Sequence, residues 1–221
     1  EDKNKDNDGT IWLKEGRKLT ATVVVDDKVS VQGSPVIRVK AGDNNLDLPF
    51  ESISQDEDGK TTIIFAKKIA STDAQGKLTF TNTDSSPIIY GYDDIKDSFG
   101  NGLDKNSITS KTVTGNYAVD TIPPAKFTIK NKAEIIKYPG ATTISAGTSL
   151  TASHSGNYQT PVTFIIDTSS DDTIKSTEYS LDGGSTWKDY TSEFPIDSTK
   201  QVTAQRTDWA GNTYIIPYTV D

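Results

Sequence analysis

Apolar and polar residues alternate in short runs along the whole chain, and this pattern predicts β-strands. It is clearest from 18 to 25 and from 162 to 167, where apolar side chains recur at every second position. No segment carries a convincing helical period. The other predicted strands cover 36–40, 46–51, 61–67, 77–82, 87–92 and 110–119 in the first half, and 126–129, 149–153, 176–181, 187–190, 200–207 and 214–220 in the second.

Clusters of Gly, Asn, Asp and Pro separate these runs and predict turns, because they supply positive or preset φ angles. The most definite local prediction is a hairpin at Asp182-Gly-Gly-Ser-Thr186, between two apolar runs. Each half then holds about seven strands. We therefore predict an all-β fold of two consecutive antiparallel β-sandwiches.

A repeated ending divides the chain into two modules. Asp97-Ser-Phe-Gly-Asn101 precedes Val119-Asp120, and Asp208-Trp-Ala-Gly-Asn212 precedes Val220-Asp221. Pro123 and Pro124 follow the first ending, and consecutive prolines favour an extended connection. The predicted boundaries are a linker from a preceding module at 1–12, a sandwich at 13–120, a Pro-rich linker at 121–125 and a second sandwich at 126–221.

Apolar content, net charge and the lack of cysteine reduce the number of functional classes to which the chain can belong. Apolar residues make up 33% of the 221 positions, which suits two thin sandwich cores. The net charge of −8 disfavours nucleic acid, whose binding depends on Lys and Arg contacts to phosphate. No apolar run approaches the roughly 20 residues that cross a bilayer, so we expect no membrane insertion. The chain has no cysteine, which excludes disulfides and thiolate chemistry.

Two groups of oxygen-bearing side chains are candidate calcium ligands. The N-terminal group has calcium-loop spacing, with Gly9 at the sixth position, although Asn stands where Asp is usual at the first. The alternative there is a solvated linker. The second group lies in the first repeated ending, and its alternative is a turn in which Asp accepts local amide hydrogen bonds. The candidates are Asn4, Asp6, Asp8 and Glu15 in the first group, and Asp97, Asn101 and Asp120 in the second.

The aromatic side chains of the second half, most of them near the predicted hairpin at 182–186, have two interpretations. Tyr179, Leu181, Trp187 and Tyr190 are expected to pack against the facing sheet as core residues. The alternative is a sugar-stacking platform, for which Trp187, Tyr190 and Trp209 are the candidate ligand-binding residues.

Catalysis is not expected. The single histidine, His154, lies in Ala152-Ser-His-Ser-Gly156, where no nucleophile-elbow pattern surrounds the serines. The first module therefore has no histidine base of its own. Carboxylate pairs for glycoside hydrolysis depend on spatial separation, which the sequence does not give.

The chain resembles bacterial immunoglobulin-like modules that occur in tandem on large surface proteins, adhesins and S-layer-type proteins. The resemblance in the first half lies in Leu13-Lys-Glu-Gly16, the segment 29–35, the first repeated ending and Val119-Asp-Thr-Ile-Pro-Pro124. In the second half it lies in the segments 179–187 and 202–212.

The resemblance implies an all-β fold of two consecutive immunoglobulin-like antiparallel β-sandwiches joined by a Pro-Pro linker. It also implies an extracellular spacer, stalk or adhesive module on a bacterial surface or in a secreted protein, with no catalysis of its own. Its expected partners are neighbouring modules of the same polypeptide. The alternative function is recognition of a glycan or a host surface protein through loops or exposed aromatic rings.

Overall fold

The computed structural model describes residues 4–80, 88–104, 115–159, 161–168, 173–217 and 220. The chain divides into two compact units, Glu1–Thr121 and Ile122–Asp221. Both units consist of strands, and the helical segments in the described ranges are single 3₁₀ turns at Tyr92–Asp94 and Ala152–His154. The prediction of an all-β fold is confirmed.

The strands of the first unit are β1 (Thr10–Leu13), β2 (Lys18–Val25), β3 (Val29–Val31), β4 (Val36–Ala41), β5 (Asn44–Gln55), β6 (Thr61–Lys68), β7 (Gly76–Thr79), β8 (Ile89–Tyr90), β9 (Ile95–Asp97) and β10 (Asn116–Val119). Their order in the main sheet is β1-β10-β7-β4-β5-β6-β2, with β8 beside β4. Strands β3 and β9 form a separate two-stranded ribbon.

The long strand β5 connects two parts of this sheet. Its first half pairs with β4 from Asn44 to Pro49, and its second half pairs with β6 as far as Gln55. The register shifts between Phe50 and Ser52. Such a bulge bends and twists a strand, so β5 is suited to pass from one layer to another. Several sheets around one apolar cluster are compatible with a β-sandwich.

Alternating strands supply the core of the first unit. In β6, Ile63 and Phe65 are completely buried, and in β5 Leu46 and Leu48 are buried as well. These positions are two residues apart, so their side chains lie on the same face of each strand. Phe50 adds an edge-to-face contact to Phe65, with ring centroids 6.4 Å apart.

The strands of the second unit are β11 (Ile129–Asn131), β12 (Ile135–Tyr138), β13 (Thr142–Ile144), β14 (Ser149–Leu150), β15 (Asn157–Tyr158), β16 (Val162–Ile166), β17 (Ile174–Ser180), β18 (Lys188–Asp189), β19 (Phe194–Ile196), β20 (Thr203–Asp208) and β21 (Thr213–Ile215). They form three sheets, in the orders β14-β11-β16-β19, β13-β12-β15 and β18-β17-β20-β21.

An aromatic stack joins two sheets of the second unit. Phe194 on β19 lies parallel to Tyr179 on β17, with ring centroids 4.0 Å apart. It also contacts Phe164 at 5.7 Å and meets Tyr190 edge-on at 6.2 Å. Tyr179, Leu181 and Tyr190 all pack against the buried cluster of this unit, as expected of core residues, whereas Trp187, expected with them, is not among the residues of that cluster.

The observed strands differ from the predicted ones mainly at their ends and in short elements. Strand β2 has the predicted bounds, whereas β5 is longer than 46–51. The hairpin of β12 and β13 was not predicted. The predicted strands 77–82, 87–92, 110–119 and 214–220 extend partly outside the described residues. Strand β1 belongs to the first unit, whereas the sequence assigned residues 1–12 to a linker.

Candidate functional site

The repeated ending of the first unit forms a tight turn after β9, here called the Asp97 turn (97–101). The amide of Asp97 donates to the carbonyl of Asn101 at 3.0 Å, and the amide of Gly100 donates to the carbonyl of Asp97 at 3.1 Å. Gly100 has φ of 87°, a left-handed conformation that glycine adopts without strain. This is a type I turn followed by a glycine bulge.

The Asp97 side chain holds this turn from within. Its Oδ1 accepts the amides of Phe99 at 2.9 Å and Asn101 at 2.8 Å, and its Oδ2 accepts Asn101 Nδ2 at 2.9 Å. The Asn101 side-chain hydrogen bond, helped by these amides, holds the pKa of Asp97 below its usual value. The carboxylate therefore stays ionised and bonded to its own loop.

The Asp208 turn (208–212) repeats this geometry in the second unit. Asp208 accepts the amide of Asn212 at 2.8 Å and its Nδ2 at 2.9 Å, and Gly211 has φ of 87°. The surroundings differ between the two copies. Phe99 is 88% exposed at the third position of the first copy, whereas the corresponding Ala210 is completely buried.

The same backbone pattern occurs twice more in the first unit. Asp6 and Asp56 each begin a five-residue turn whose first amide donates to the fifth carbonyl at 3.0 Å. In each, the fifth amide donates to the Asp carboxylate at 2.8 Å. Sequence reasoning missed this recurrence, although the spacing Asp-x-x-Gly at 6–9 and 56–59 carries the signal.

The N-terminal calcium candidates lie in the first of these turns. Asp6 accepts the amides of Asp8 and Thr10 through Oδ1, and Trp12 Nε1 at 2.7 Å through Oδ2. Burial opposes ionisation of Asp6, but the Trp12 and amide hydrogen bonds outweigh it and lower the pKa. Asn4 contributes its carbonyl to the Trp12 amide, at 3.0 Å. Glu15 is exposed beyond β1, which carries the chain away from Asp6.

The three calcium candidates of the first repeated ending are only partly brought together. Asp97 and Asn101 share one turn, while Asp120 follows β10 and donates its amide to the carbonyl of Leu13 at 3.0 Å. Within the described ranges, no group of three or more Asp, Glu, His or Cys side chains is placed to hold a metal ion. At each group, calcium binding and its alternative, a solvated linker or a local turn, both stay untested.

The aromatic candidates do not form one platform. Trp187 precedes β18, which pairs with the end of β17 at Tyr179, whereas the amide of Trp209 donates to Thr173, just before β17 begins. The length of β17 separates the two tryptophans, about 20 Å at roughly 3.3 Å per residue. Tyr190 packs edge-on against Phe194 in the core. All three candidate rings are half-buried.

His154 closes a 3₁₀ turn. Its Nδ1 lies 3.0 Å from both the amide and the hydroxyl of Thr151, in a reciprocal capping arrangement. Ser153 Oγ is 2.7 Å from the same Thr151 hydroxyl. The imidazole nitrogen is thus engaged in local backbone capping.

The first and last strands of the first unit place the start of β1 and the end of β10 at opposite ends. In the first unit β1 runs parallel to β10, with Thr10 opposite Asn116 and Leu13 opposite Val119. From Thr10 onward the chain therefore runs in along β1 from one end of the unit and leaves along β10 at the other. Before Thr10, the Asp6 turn folds the chain back beside β1, so that Asn4 lies opposite Trp12.

The second unit reaches a similar arrangement by another route. Asn212 Nδ2 donates to the carbonyl of Ile122 at 3.4 Å, beside the end of β20. At the start of β20, Val202 and Val220 exchange backbone hydrogen bonds of 2.7 and 2.9 Å. The first residues of this unit and its last described residue are thus separated by the length of β20.

Comparison with protein-family models, with curated protein sequences and with solved structures finds no match to this chain. Of the helical segments in the described part, none is both long and apolar enough for a membrane crossing.

Proposed function

We propose that this chain is a pair of immunoglobulin-like β-sandwich modules, joined through the Pro-Pro segment at 121–125, that act as a non-catalytic spacer. Their parent is a multidomain protein of a bacterial surface or a secreted protein, in which they form part of a stalk or adhesin. Their partners are the neighbouring modules of the same polypeptide.

The observation that carries this proposal is the parallel pair β1 and β10. Modules connected in series need their entry and exit at opposite ends, because otherwise each module doubles the chain back. The parallel register of Thr10–Leu13 with Asn116–Val119 meets this need in the first unit once the short Asp6 hairpin, which folds Asn4 back beside Trp12, is extended. The positions of Ile122 and Val220 at the two ends of β20 meet it in the second.

The same pairing suits a module under tension. Force applied through the two ends of the first unit first peels the antiparallel Lys5–Ile11 pairing of the Asp6 hairpin from β1. It then pulls β1 and β10 in opposite directions along their length. The ladder hydrogen bonds between them then share the load, whereas an antiparallel hairpin pulled from its open end breaks them one by one. Buried Leu13, 5% exposed, anchors β1 to the core.

The repeated Asp turns also support a structural role. Their carboxylates are occupied by amides of their own loops, with three such hydrogen bonds to Asp97 and two to Asp208. Groups engaged in this way stabilise loops without disulfides, in a chain that has no cysteine.

Two matched leucine variants test the spacer. Leu13→Ala in β1 and Leu48→Ala in β5 both empty a buried site, since the residues are 5% and 1% exposed. Each is expected to cost about 2 to 5 kcal/mol of unfolding free energy. Single-molecule force spectroscopy on the intact chain should show a much larger loss of unfolding force for Leu13→Ala, because only this variant loosens the loaded strand.

The comparison is made at matched stability, measured by urea unfolding. Equal losses of force for the two variants would contradict the load path through β1. Specific binding of the intact chain to a glycan array, abolished by Trp187→Ala, would instead favour the alternative of a glycan-binding module.

A further inference from the structure

The Asp97 turn ends in the sole Asn-Gly pair of the sequence, Asn101-Gly102. Asparagine followed by glycine is the pair most open to attack of the next backbone nitrogen on the side-chain amide, because glycine has no Cβ to hinder the approach and reaches unusual backbone conformations. Both residues are exposed. Reaction in the folded chain also requires that the Gly102 nitrogen be free to approach Asn101 Cγ.

The backbone nitrogen of Gly102 lies outside the hydrogen-bond ladder of this hairpin. Lys96 and Gly102 face each other as an isolated antiparallel pair. The ladder bonds run through their neighbours, from the Asp97 amide to the carbonyl of Asn101 and from the Leu103 amide to the carbonyl of Ile95. Gly102 is therefore at a non-hydrogen-bonded position, where its N–H is not used by the partner strand.

The fold favours glycine at this position. A Cβ at residue 102 would lie 3.0 Å from both Cα and Oδ1 of Asp93, closer than side chains normally pack. The close approach of Asp93 therefore favours glycine at position 102, and this glycine is what makes Asn101 reactive. The opposing effect is the hydrogen bond of Asn101 Nδ2 to Asp97 Oδ2 at 2.9 Å, which holds the side chain in the turn.

We propose that Asn101 is a site of spontaneous modification, in which Gly102 converts it to aspartate and isoaspartate through a succinimide. The Gly102 nitrogen forms a bond to Asn101 Cγ and loses its proton, while the Cγ–Nδ2 bond breaks and ammonia leaves. Water then opens the ring at either carbonyl, and no oxidation or reduction is involved. The product loses the Nδ2 donor and places a second negative charge beside Asp97.

The Asp208 turn is a control within the same molecule. Asn212 makes the same two hydrogen bonds to its aspartate, at 2.8 and 2.9 Å, but it is followed by Thr213. The two asparagines differ in the residue that must supply the attacking nitrogen. Asn212 is also half-buried and donates from Nδ2 to the carbonyl of Ile122 at 3.4 Å, so Thr213→Gly is needed to isolate the effect of the following residue.

The test follows both sites by peptide mass mapping during incubation of the intact chain at mildly alkaline pH. Deamidation at Asn101 is expected to be at least about tenfold faster than at Asn212, a difference equal to about 1.4 kcal/mol in activation free energy. Asp97→Ala should accelerate it further by releasing Nδ2, and Thr213→Gly should make the Asp208 turn reactive.

The wild-type chain alone can overturn the proposal. Equal rates at Asn101 and Asn212 in the folded chain would do so, and so would an Asn101 that reacts only after unfolding in urea. The urea-unfolded sample also shows that the peptide carrying Asn101 is detectable, so a negative result for the folded chain is informative even if a variant fails to fold.

Discussion

Phe194 offers the sharpest test of how the second unit is held together. It is 7% exposed, and its ring contacts three others, of which Tyr179 lies on a strand of a different sheet. Truncation to alanine is expected to cost about 4 kcal/mol, from lost burial and a cavity. Phe194→Leu keeps most of the apolar volume and loses the ring contacts, so about 1 to 2 kcal/mol is expected.

Urea unfolding followed by tryptophan fluorescence measures both variants, since Trp187 and Trp209 report on this unit. A loss of about 4 kcal/mol lowers Tm by about 15 °C or more in a module of this size. Phe65→Ala, at a completely buried position in the first unit, identifies which transition belongs to which unit. If Phe194→Leu costs as much as Phe194→Ala, the stacking argument is refuted.

Two further predictions concern the ionisation of Asp182 and the effect of calcium on Tm. The Thr186 hydroxyl, followed by the Ser180 hydroxyl and the Thr186 amide, lowers the pKa of Asp182 from 3.8 to about 2, so its stabilising effect is present above 3.8 and is lost as pH falls toward about 2. The Tm difference between wild type and Asp182→Asn should therefore shrink over that interval, and a difference independent of pH would contradict the assignment. Calcium and EDTA should give the same Tm, because the Asp6 and Asp97 oxygens already accept amide hydrogen bonds; a higher Tm in calcium would show ion binding to the folded state.

Local patterns in the sequence predicted much of the fold. Strand β2 was found with its bounds because alternation and flanking turns agree. Strand β5 was cut short, since Ser52-Ile-Ser-Gln55 resembles a loop until its pairing with β6 is known. The hairpin of β12 and β13 was missed because its strands are short and surround Pro139-Gly140.

Long-range pairing could not be predicted in the same way. The parallel contact of β1 with β10 joins segments more than a hundred residues apart, and nothing in the local pattern of Thr10–Leu13 identifies its partner. The residues before it consequently resembled a linker. The Asp turns of the candidate site are easier to recognise from the sequence, because the spacing of Asp and Gly in each turn determines its backbone conformation.

The two repeated endings differ at their third position, where two copies of a binding motif would be expected to carry the same side chain. Asp, Gly and Asn recur because the carboxylate accepts the fifth amide, glycine takes positive φ and the asparagine side chain completes the carboxylate's bonds. The third position makes none of these contacts through its side chain, and it is free to be an exposed Phe99 in one unit and a buried Ala210 in the other. A shared ligand would need a shared surface at this position. The repetition is therefore explained by the backbone it specifies, as it is in the turns at Asp6 and Asp56.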